Sequence, residues 1–198
     1  FRLGCISENP AQNVRLESVP KKIPRAFSST QIDMIVDAIE REATENKNAS
    51  VGSSQWLIPV VLSNSYLGLR AGEVVNLAWC DVDLENKLIR VAKTNNFRTK
   101  NNRDRLMPLC SHVLKVFERL DRTSGFVFPS FNGNQLHRQY LSRRFKHFVR
   151  KAGLDERFNF HSLRHTAITR LISNGASLEA ARIYAGHSSV RVTEVYGH

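Results

Sequence analysis

The stretch that most constrains the fold is QWLIPVVLSNSYLGL, which spans residues 55–69. Apolar residues fall on almost every side of the helix that this stretch predicts, so other elements must cover that helix all round. Pro59 lies near its start, where a helix tolerates proline, and Gly68 can end it. At 198 residues the chain is long enough to build such a core within one domain.

Further helices are indicated by apolar periodicity and by end signals. Ser28 and Gln31 form a capping box ahead of the periodic run IDMIVDAIERE. In NFHSLRHTAITRLISNG, Asn159 can cap the start of a helix and Gly175 can end it. The remaining predicted helical segments are 71–77, 111–120, 135–153, 177–186 and 189–197.

The middle of the chain has the pattern of β-strands. AWCDVDL (78–84) and KLIRVAK (87–93) flank a short connection, and DRLMPL (104–109) makes a third extended piece. The predicted fold class is therefore α+β, mainly α-helical with a small antiparallel three-stranded β-sheet.

The charge balance indicates a polyanionic partner. Lys and Arg number 29 against 18 Asp and Glu, which gives a net charge of +11. Segments 86–103 and 122–154 are rich in basic residues and contain no acidic residue. Solvated faces usually mix both signs, whereas acid-free basic tracts supply affinity for phosphate backbones. Nucleic acid is the predicted partner.

Cys5, Cys80 and Cys110 are odd in number and widely spaced, which indicates reduced thiols in a cytoplasm rather than a disulfide framework. The opening FRLGCISENP lacks the apolar region of a secretory signal, and the longest apolar run, WLIPVVL, is too short to span a membrane. A cytoplasmic location with no membrane partner is therefore expected.

Motifs for nucleotides and metals are absent. No phosphate loop and no GxGxxG occurs, and GHSSV lacks the second glycine of a nucleophile elbow. His161 and His165 lie four residues apart, but Ser162 stands where HExxH needs a glutamate. No cofactor and no metal are predicted.

Four short motifs carry the remaining candidates for chemistry. They are GLRAGE (68–73), TKNNRDRLMPL (99–109), HSLRHT (161–166) and GHSSVRVTEVY (186–196). His161 and Arg164 share one helix face bordering the apolar face, so both are expected at the rim of the core. In this order and spacing, the motifs resemble the catalytic domain of the tyrosine recombinases, the phage integrase family, over about residues 25–198.

The resemblance implies a catalytic role for each matching residue. Arg70 and Arg164 match the two active-site arginines, and His161 matches the histidine of the family's HxxR motif. His187 matches a second histidine, and Tyr196 matches the nucleophile.

The family also has a lysine on its β-hairpin and an acidic residue that supports the site. Lys100 aligns with that lysine, and Lys93 is a competing candidate because this hairpin is long. Glu73 matches the acidic residue. Candidate DNA-binding residues from the basic tracts are Lys93, Arg98, Arg103, Arg143, Arg144 and Lys146.

These residue types suit phosphoryl transfer from DNA to a tyrosine. Two guanidinium forks can bind the phosphate oxygens as negative charge grows on them, which lysine cannot match in geometry. A free tyrosine has a pKa of about 10, so nearby arginines must favour its phenolate while His161 shares its proton. Lys100 can protonate the leaving 5′ oxygen, and a 3′-phosphotyrosine intermediate conserves the bond for rejoining.

The resemblance therefore implies site-specific DNA recombination, as by the integrase of a phage or mobile element. Residues 1–25 are expected to be a linker from a missing N-terminal core-binding domain, and 26–198 the catalytic domain. The expected partner is double-stranded DNA, with a homotetramer for the full-length protein and a monomer for this fragment. A bacterial, nucleoid-associated protein is implied.

Two alternatives stay open from the sequence. A type IB topoisomerase would use similar residues but would rejoin the same strand after rotation. A catalytically silent DNA-binding module would keep the fold and lose the chemistry.

Overall fold

The structure, a computed structural model, describes residues 24–45, 54–92, 104–130, 132–186 and 193. Over these ranges the prediction of a mainly helical α+β fold with a small antiparallel sheet is confirmed. The helices there are α1 (Ser29–Glu45), α2 (Leu57–Leu67), α3 (Ala71–Asn76), α4 (Ser111–Phe117), α5 (Arg138–Lys151), α6 (Phe160–Ser173) and α7 (Leu178–Ala185).

Helix α2 lies at the centre of the core, as its apolar sequence predicts. Leu57, Val60 and Val61 are fully buried, and the helix packs against α1, α4 and most extensively α6. Its two buried serines bond within the helix: the Ser63 hydroxyl donates to the Pro59 carbonyl at 2.6 Å, and the Ser65 hydroxyl donates to the Leu62 carbonyl at 2.8 Å. Bonding to the helix backbone in this way satisfies the buried hydroxyls.

The end of α2 approaches α6 closely. Gly68 ends the helix with φ +62°, the left-handed region that glycine adopts without strain. A Cβ at this position would lie 2.9 Å from the Cβ of Ala167 on α6, so the absence of a side chain permits the contact. Asn64 then fixes the following turn, because its side chain accepts from the Leu69 amide at 2.7 Å and donates to the Leu69 carbonyl at 3.2 Å.

The sheet has the strand order β1-β2-β3, with both pairs antiparallel. The strands are β1 (Val82–Asp83), β2 (Leu88–Val91) and β3 (Arg105–Pro108). Ile89 faces Met107 across the sheet, and both side chains are buried in the core. Strand β1 is shorter than the predicted 78–84 because Ala78 bridges to Phe126 instead, and a 3₁₀ turn follows before β1 begins.

The predicted end signals of α1 and α6 are confirmed, whereas α4 ends at Phe117 rather than at 120 and α5 begins at Arg138 rather than at 135. At α1, Ser28 and Gln31 bond reciprocally at 3.0 and 3.1 Å, which completes the capping box. At α6, the Asn159 side chain accepts from the His161 amide at 2.9 Å, and Gly175 follows the helix with φ +88°. No helix in the described ranges combines the length and apolar character needed to cross a membrane.

Helices α1 and α5 are joined by one glutamate. Glu42 binds Arg144 at 2.5 Å, His147 at 2.8 Å and Lys151 at 2.9 Å, and we call these four residues the Glu42 cluster. Desolvation raises the pKa of Glu42, but the hydrogen bonds from Lys151, His147 and Arg144 outweigh it and lower the pKa to about 2. The cluster therefore holds α1 against α5 at neutral pH.

Candidate active site

Arg70 lies in the turn between α2 and α3. Its Nη1 donates to Glu73 Oε1 at 3.0 Å, and its Nη2 donates to the Gly186 carbonyl at 3.2 Å. Its backbone amide also donates to Glu73 Oε2 at 2.8 Å, which caps the start of α3. The side chain is 22% exposed, so Arg70 is held in place and still reaches solvent.

Glu73 is buried, and its carboxylate accepts hydrogen bonds from two arginines. Besides Arg70, the guanidinium of Arg105 binds it in a fork, with Nη1 3.1 Å from Oε1 and Nη2 2.9 Å from Oε2. Desolvation raises the pKa of Glu73, but Arg105 and Arg70 outweigh it, and the pKa is lowered to about 2. Glu73 is thus a carboxylate at neutral pH, and we call Glu73, Arg70 and Arg105 the Glu73 cluster.

Arg164 is buried rather than placed at the rim of the core. Only 1% of the residue is exposed, so the expectation that it emerges beside His161 is wrong. The reason is the close approach of α6 to the end of α2, which offers backbone acceptors to its guanidinium. Nη1 donates to the Gly68 carbonyl at 2.7 Å, and Nη2 donates to the Ala185 carbonyl.

Three arginines converge on the C-terminal end of α7. Arg105 Nε donates to the Tyr184 carbonyl at 3.1 Å, Arg164 to the Ala185 carbonyl, and Arg70 to the Gly186 carbonyl at 3.2 Å. The last carbonyls of a helix have no partner within it, and the negative end of the helix dipole favours cations there. The end of α7 thus brings Arg70 and Arg164 together from distant parts of the chain.

His161 lies in the first turn of α6, one turn before Arg164, and its side chain is exposed as predicted. Its ring packs edge-on against the ring of His165, with centroids 4.8 Å apart and planes 85° apart. Burial, with added effects of His161 and Arg164, lowers the pKa of His165 from 6.5 to about 4. His165 is therefore neutral at pH 7, while His161 faces solvent.

A cleft of about 530 Å³ opens beside His161. It is lined by Ala71, Ser142, Arg143, Lys146, Asn159, Phe160 and His161. The guanidinium of Arg143 lies 5.9 Å from the ring centre of Tyr140, and Lys146 donates to the Phe158 carbonyl at 3.0 Å. Two of the predicted DNA-binding cations therefore sit next to the predicted catalytic histidine.

Arg144 lies on a different face of α5, in the Glu42 cluster, and also donates to the Ser54 hydroxyl. The other predicted site residues lie outside the described ranges. They are the catalytic candidates Lys100, His187 and Tyr196, and the DNA-binding candidates Lys93, Arg98 and Arg103.

Arg105 and His165 were missed by sequence reasoning. Arg105 lies two residues before the apolar Met107, and side chains two apart share one face of a strand. That alternation places Arg105 on the inward face, where an arginine needs a buried partner. His165 follows Arg164 directly, but nothing in its spacing separates a neutral packed histidine from a reactive one.

Comparison with known proteins identifies the family of the chain. The profile of the phage integrase family matches residues 25–198. Tyrosine recombinase XerD of Pseudomonas putida is 28% identical over 208 residues, covering 100% of this chain and 65% of that protein. Tyrosine recombinase XerC of Chlamydia caviae is 25% identical over 202 residues, covering 98% of this chain and 60% of that protein. The chain thus spans less than two thirds of the length of these relatives.

Two solved structures share the fold. The Tn1549 transposon integrase in complex with circular intermediate DNA has a TM-score of 0.70 and 21% identity, covering 90% of this chain and 64% of that one. A lambda integrase dimer bound to a COC′ core site has a TM-score of 0.72 and 17% identity, covering 96% of this chain and 67% of that one.

Proposed function

This chain belongs to the phage integrase family, and from that premise we propose that it cuts and rejoins DNA strands in site-specific recombination. The observation that carries the proposal is the convergence of Arg70 and Arg164 on the end of α7. Exposed His161 lies one helical turn from Arg164, beside a cleft lined by Arg143 and Lys146. The arrangement offers several cations to a single phosphodiester.

The two arginines act on the phosphate in different ways. Arg70 is partly exposed, so its guanidinium can donate directly to a non-bridging phosphate oxygen. Arg164 is buried, where its charge is poorly screened and stabilises negative charge that grows on the phosphate in the transition state. Both are fixed before the DNA arrives, so little reorganisation is needed during the reaction.

The covalent step uses residues beyond the described ranges. The Tyr196 oxygen attacks the phosphorus and loses its proton to His161 as the P–O5′ bond breaks. Lys100 gives a proton to the leaving 5′ oxygen, and His187 donates a hydrogen bond to the phosphate. A 5′ hydroxyl from the partner strand then attacks the 3′-phosphotyrosine and restores a phosphodiester. The reaction changes no oxidation state and uses no nucleotide cofactor such as ATP.

Double-stranded DNA is the proposed partner. The net charge of +11 supplies affinity for the phosphate backbone, and Arg143 and Lys146 extend that positive surface beside His161. The full-length protein acts as a homotetramer in the cytoplasm of a bacterium, at the nucleoid, on two duplexes. This chain alone binds as a monomer.

The decisive experiment uses nicked suicide duplexes tiled across the DNA that adjoins the gene. The full-length protein should form an adduct that resists SDS, and Tyr196→Phe should form none. Recombination between two sites supports the proposal, whereas plasmid relaxation without recombination identifies a type IB topoisomerase. If the parent protein binds DNA but forms no adduct, the proposed catalysis is wrong and the protein is a DNA-binding module.

A further inference from the structure

The guanidinium of Arg105 uses all three of its nitrogens in hydrogen bonds within the protein. Its fork binds both oxygens of Glu73, and its remaining Nε donates to the Tyr184 carbonyl at 3.1 Å. Only 9% of its side chain is exposed. An arginine that is buried and bound on both edges of its guanidinium is a fixed element of the site rather than a phosphate ligand.

Glu73 links Arg105 to Arg70. Oε1 of Glu73 accepts from both Arg105 and Arg70, at 3.1 and 3.0 Å. If Arg105 were lost, Oε2 would keep only the Arg70 backbone amide and Oε1 only the Arg70 guanidinium. The buried carboxylate would then draw the Arg70 guanidinium closer, since it would be its one remaining charge partner in the cluster. The orientation of Arg70 toward a phosphate therefore depends on Arg105.

The same residue also fixes the end of α7. Gly186 has φ +63°, and a Cβ there would lie 3.1 Å from Arg105 Nη1, so the guanidinium packs directly against this glycine. The carbonyls of Tyr184 and Gly186 are bound by Arg105 and Arg70, and Glu73 joins these two arginines. In the sequence, Gly186 is followed at once by His187.

We propose that Arg105 is a positioning residue for strand cleavage: it orients Arg70 through Glu73 and fixes the end of α7 through the Tyr184 carbonyl. The proposal rests on the proposed function, because cleavage is its main readout. This positioning role requires hydrogen bonds from all three nitrogens of the guanidinium. Lysine keeps the charge but offers a single nitrogen, so it cannot make the fork and the Nε bond together.

The test compares Arg105→Lys with Arg157→Lys in the full-length protein. Arg157 also binds a carboxylate through several nitrogens, that of Asp155, but its side chain is 69% exposed and lies far from Glu73 in the sequence. With saturating protein on a nicked suicide duplex, Arg105→Lys should form the adduct about 100-fold more slowly. Its Kd for the duplex should stay within about 3-fold of the parent, because Arg105 itself contacts no phosphate and the displaced Arg70 supplies only one of several phosphate contacts. Arg157→Lys should match the parent in both the rate of adduct formation and the Kd for the duplex.

The rate constant and the final yield of the adduct distinguish a positioning role of Arg105 from a role in folding alone. A variant that only unfolds loses the fraction of protein that reacts, whereas a displaced Arg70 lowers the rate constant of the protein that stays folded. Glu73→Gln should also slow cleavage, and adding Arg105→Lys to it should slow the reaction little further, since both act through Arg70. A parental rate constant in Arg105→Lys, or a loss of yield alone, overturns the proposal.

A second readout does not depend on activity. Hydrogen exchange of the Gly186 amide, which closes α7 by donating to the Ile183 carbonyl at 3.0 Å, should be about 10-fold faster in Arg105→Lys than in the parent or Arg157→Lys. If the parent forms no adduct, the proposed function fails, and this exchange rate still decides whether Arg105 fixes the end of α7. Unchanged exchange overturns the proposal.

Discussion

The Glu73 cluster and the Glu42 cluster are built alike and behave differently. Each places one glutamate among several cations, and in each the pKa of the glutamate is lowered to about 2. The partners of Glu42 come from one face of α5 and are Arg144, His147 and Lys151. The arginines of Glu73 come from separate parts of the chain, the turn before α3 and strand β3.

The difference lies in what else the cations bind. Arg70 and Arg105 use further nitrogens on the carbonyls at the end of α7, so Glu73 connects segments from three of the four sequence motifs. The partners of Glu42 have side chains that are 24–40% exposed, and they hold one helix to another. The same ion-pair chemistry therefore serves positioning in one place and helix packing in the other.

The largest effect is expected from Glu73→Ala. Removing this carboxylate leaves the buried Arg105 without its charge partner, which should cost about 3 kcal/mol or more in the free energy of unfolding. Strand cleavage should fall along with stability because Arg70 loses its orientation. Urea denaturation and adduct formation measure the two losses, and a loss under about 1 kcal/mol would contradict the buried role.

Glu42→Ala should cost much less, about 1 kcal/mol, because its cations can turn to water. The adduct should form at the parental rate once the protein is folded. The same urea titration makes the comparison direct. If the two alanine variants lose equal stability, the distinction between the clusters fails.

The contribution of Glu42 to stability depends on pH with a definite sign. Its pKa falls from 4.5 in the unfolded chain to about 2 in the folded one, so its stabilisation is complete above pH 4.5 and is lost as pH falls toward 2. Glu42→Gln should therefore show a shallower loss of unfolding free energy than the parent over that window. Equal slopes would show that the carboxylate does not prefer its ionised form in the fold.

The smallest effect compares two neighbouring arginines of α5. Arg143 lines the cleft beside His161, whereas Arg144 is held by Glu42. Arg143→Ala should lower the slope of log K against log salt for DNA binding by about 1, and Arg144→Ala should leave it unchanged. The reverse result would place the DNA on the Glu42 side of α5.

Much of the fold could be predicted because the deciding interactions are local. The capping box of Ser28 and Gln31, the end of α2 at Gly68 and the cap at Asn159 depend on residues within a few positions of each other. The sheet was predictable from alternation, except at Ala78, whose partner Phe126 is far away in the sequence.

The geometry of the site could be predicted only in part. Motif order brought Arg70, His161 and Arg164 together, but an arginine is rarely buried unless it is paired. Arg164 is buried because two backbone carbonyls, of Gly68 and Ala185, reach it from segments that meet only in the folded chain. The alternation of β3 could have indicated Arg105, while the choice of Glu73 as its partner depends on tertiary contact.

The central position of α2 has a consequence for synthesis on the ribosome. This helix is nearly all apolar, and its most extensive packing partner, α6, is made about 100 residues later and ends at Ser173. A nascent chain that has emerged only as far as α5 therefore exposes the face of α2 that α6 covers, and such exposed apolar surface is prone to aggregation. Translation that stalls before α6 should yield an aggregating product, since α6 is the most extensive packing partner of α2.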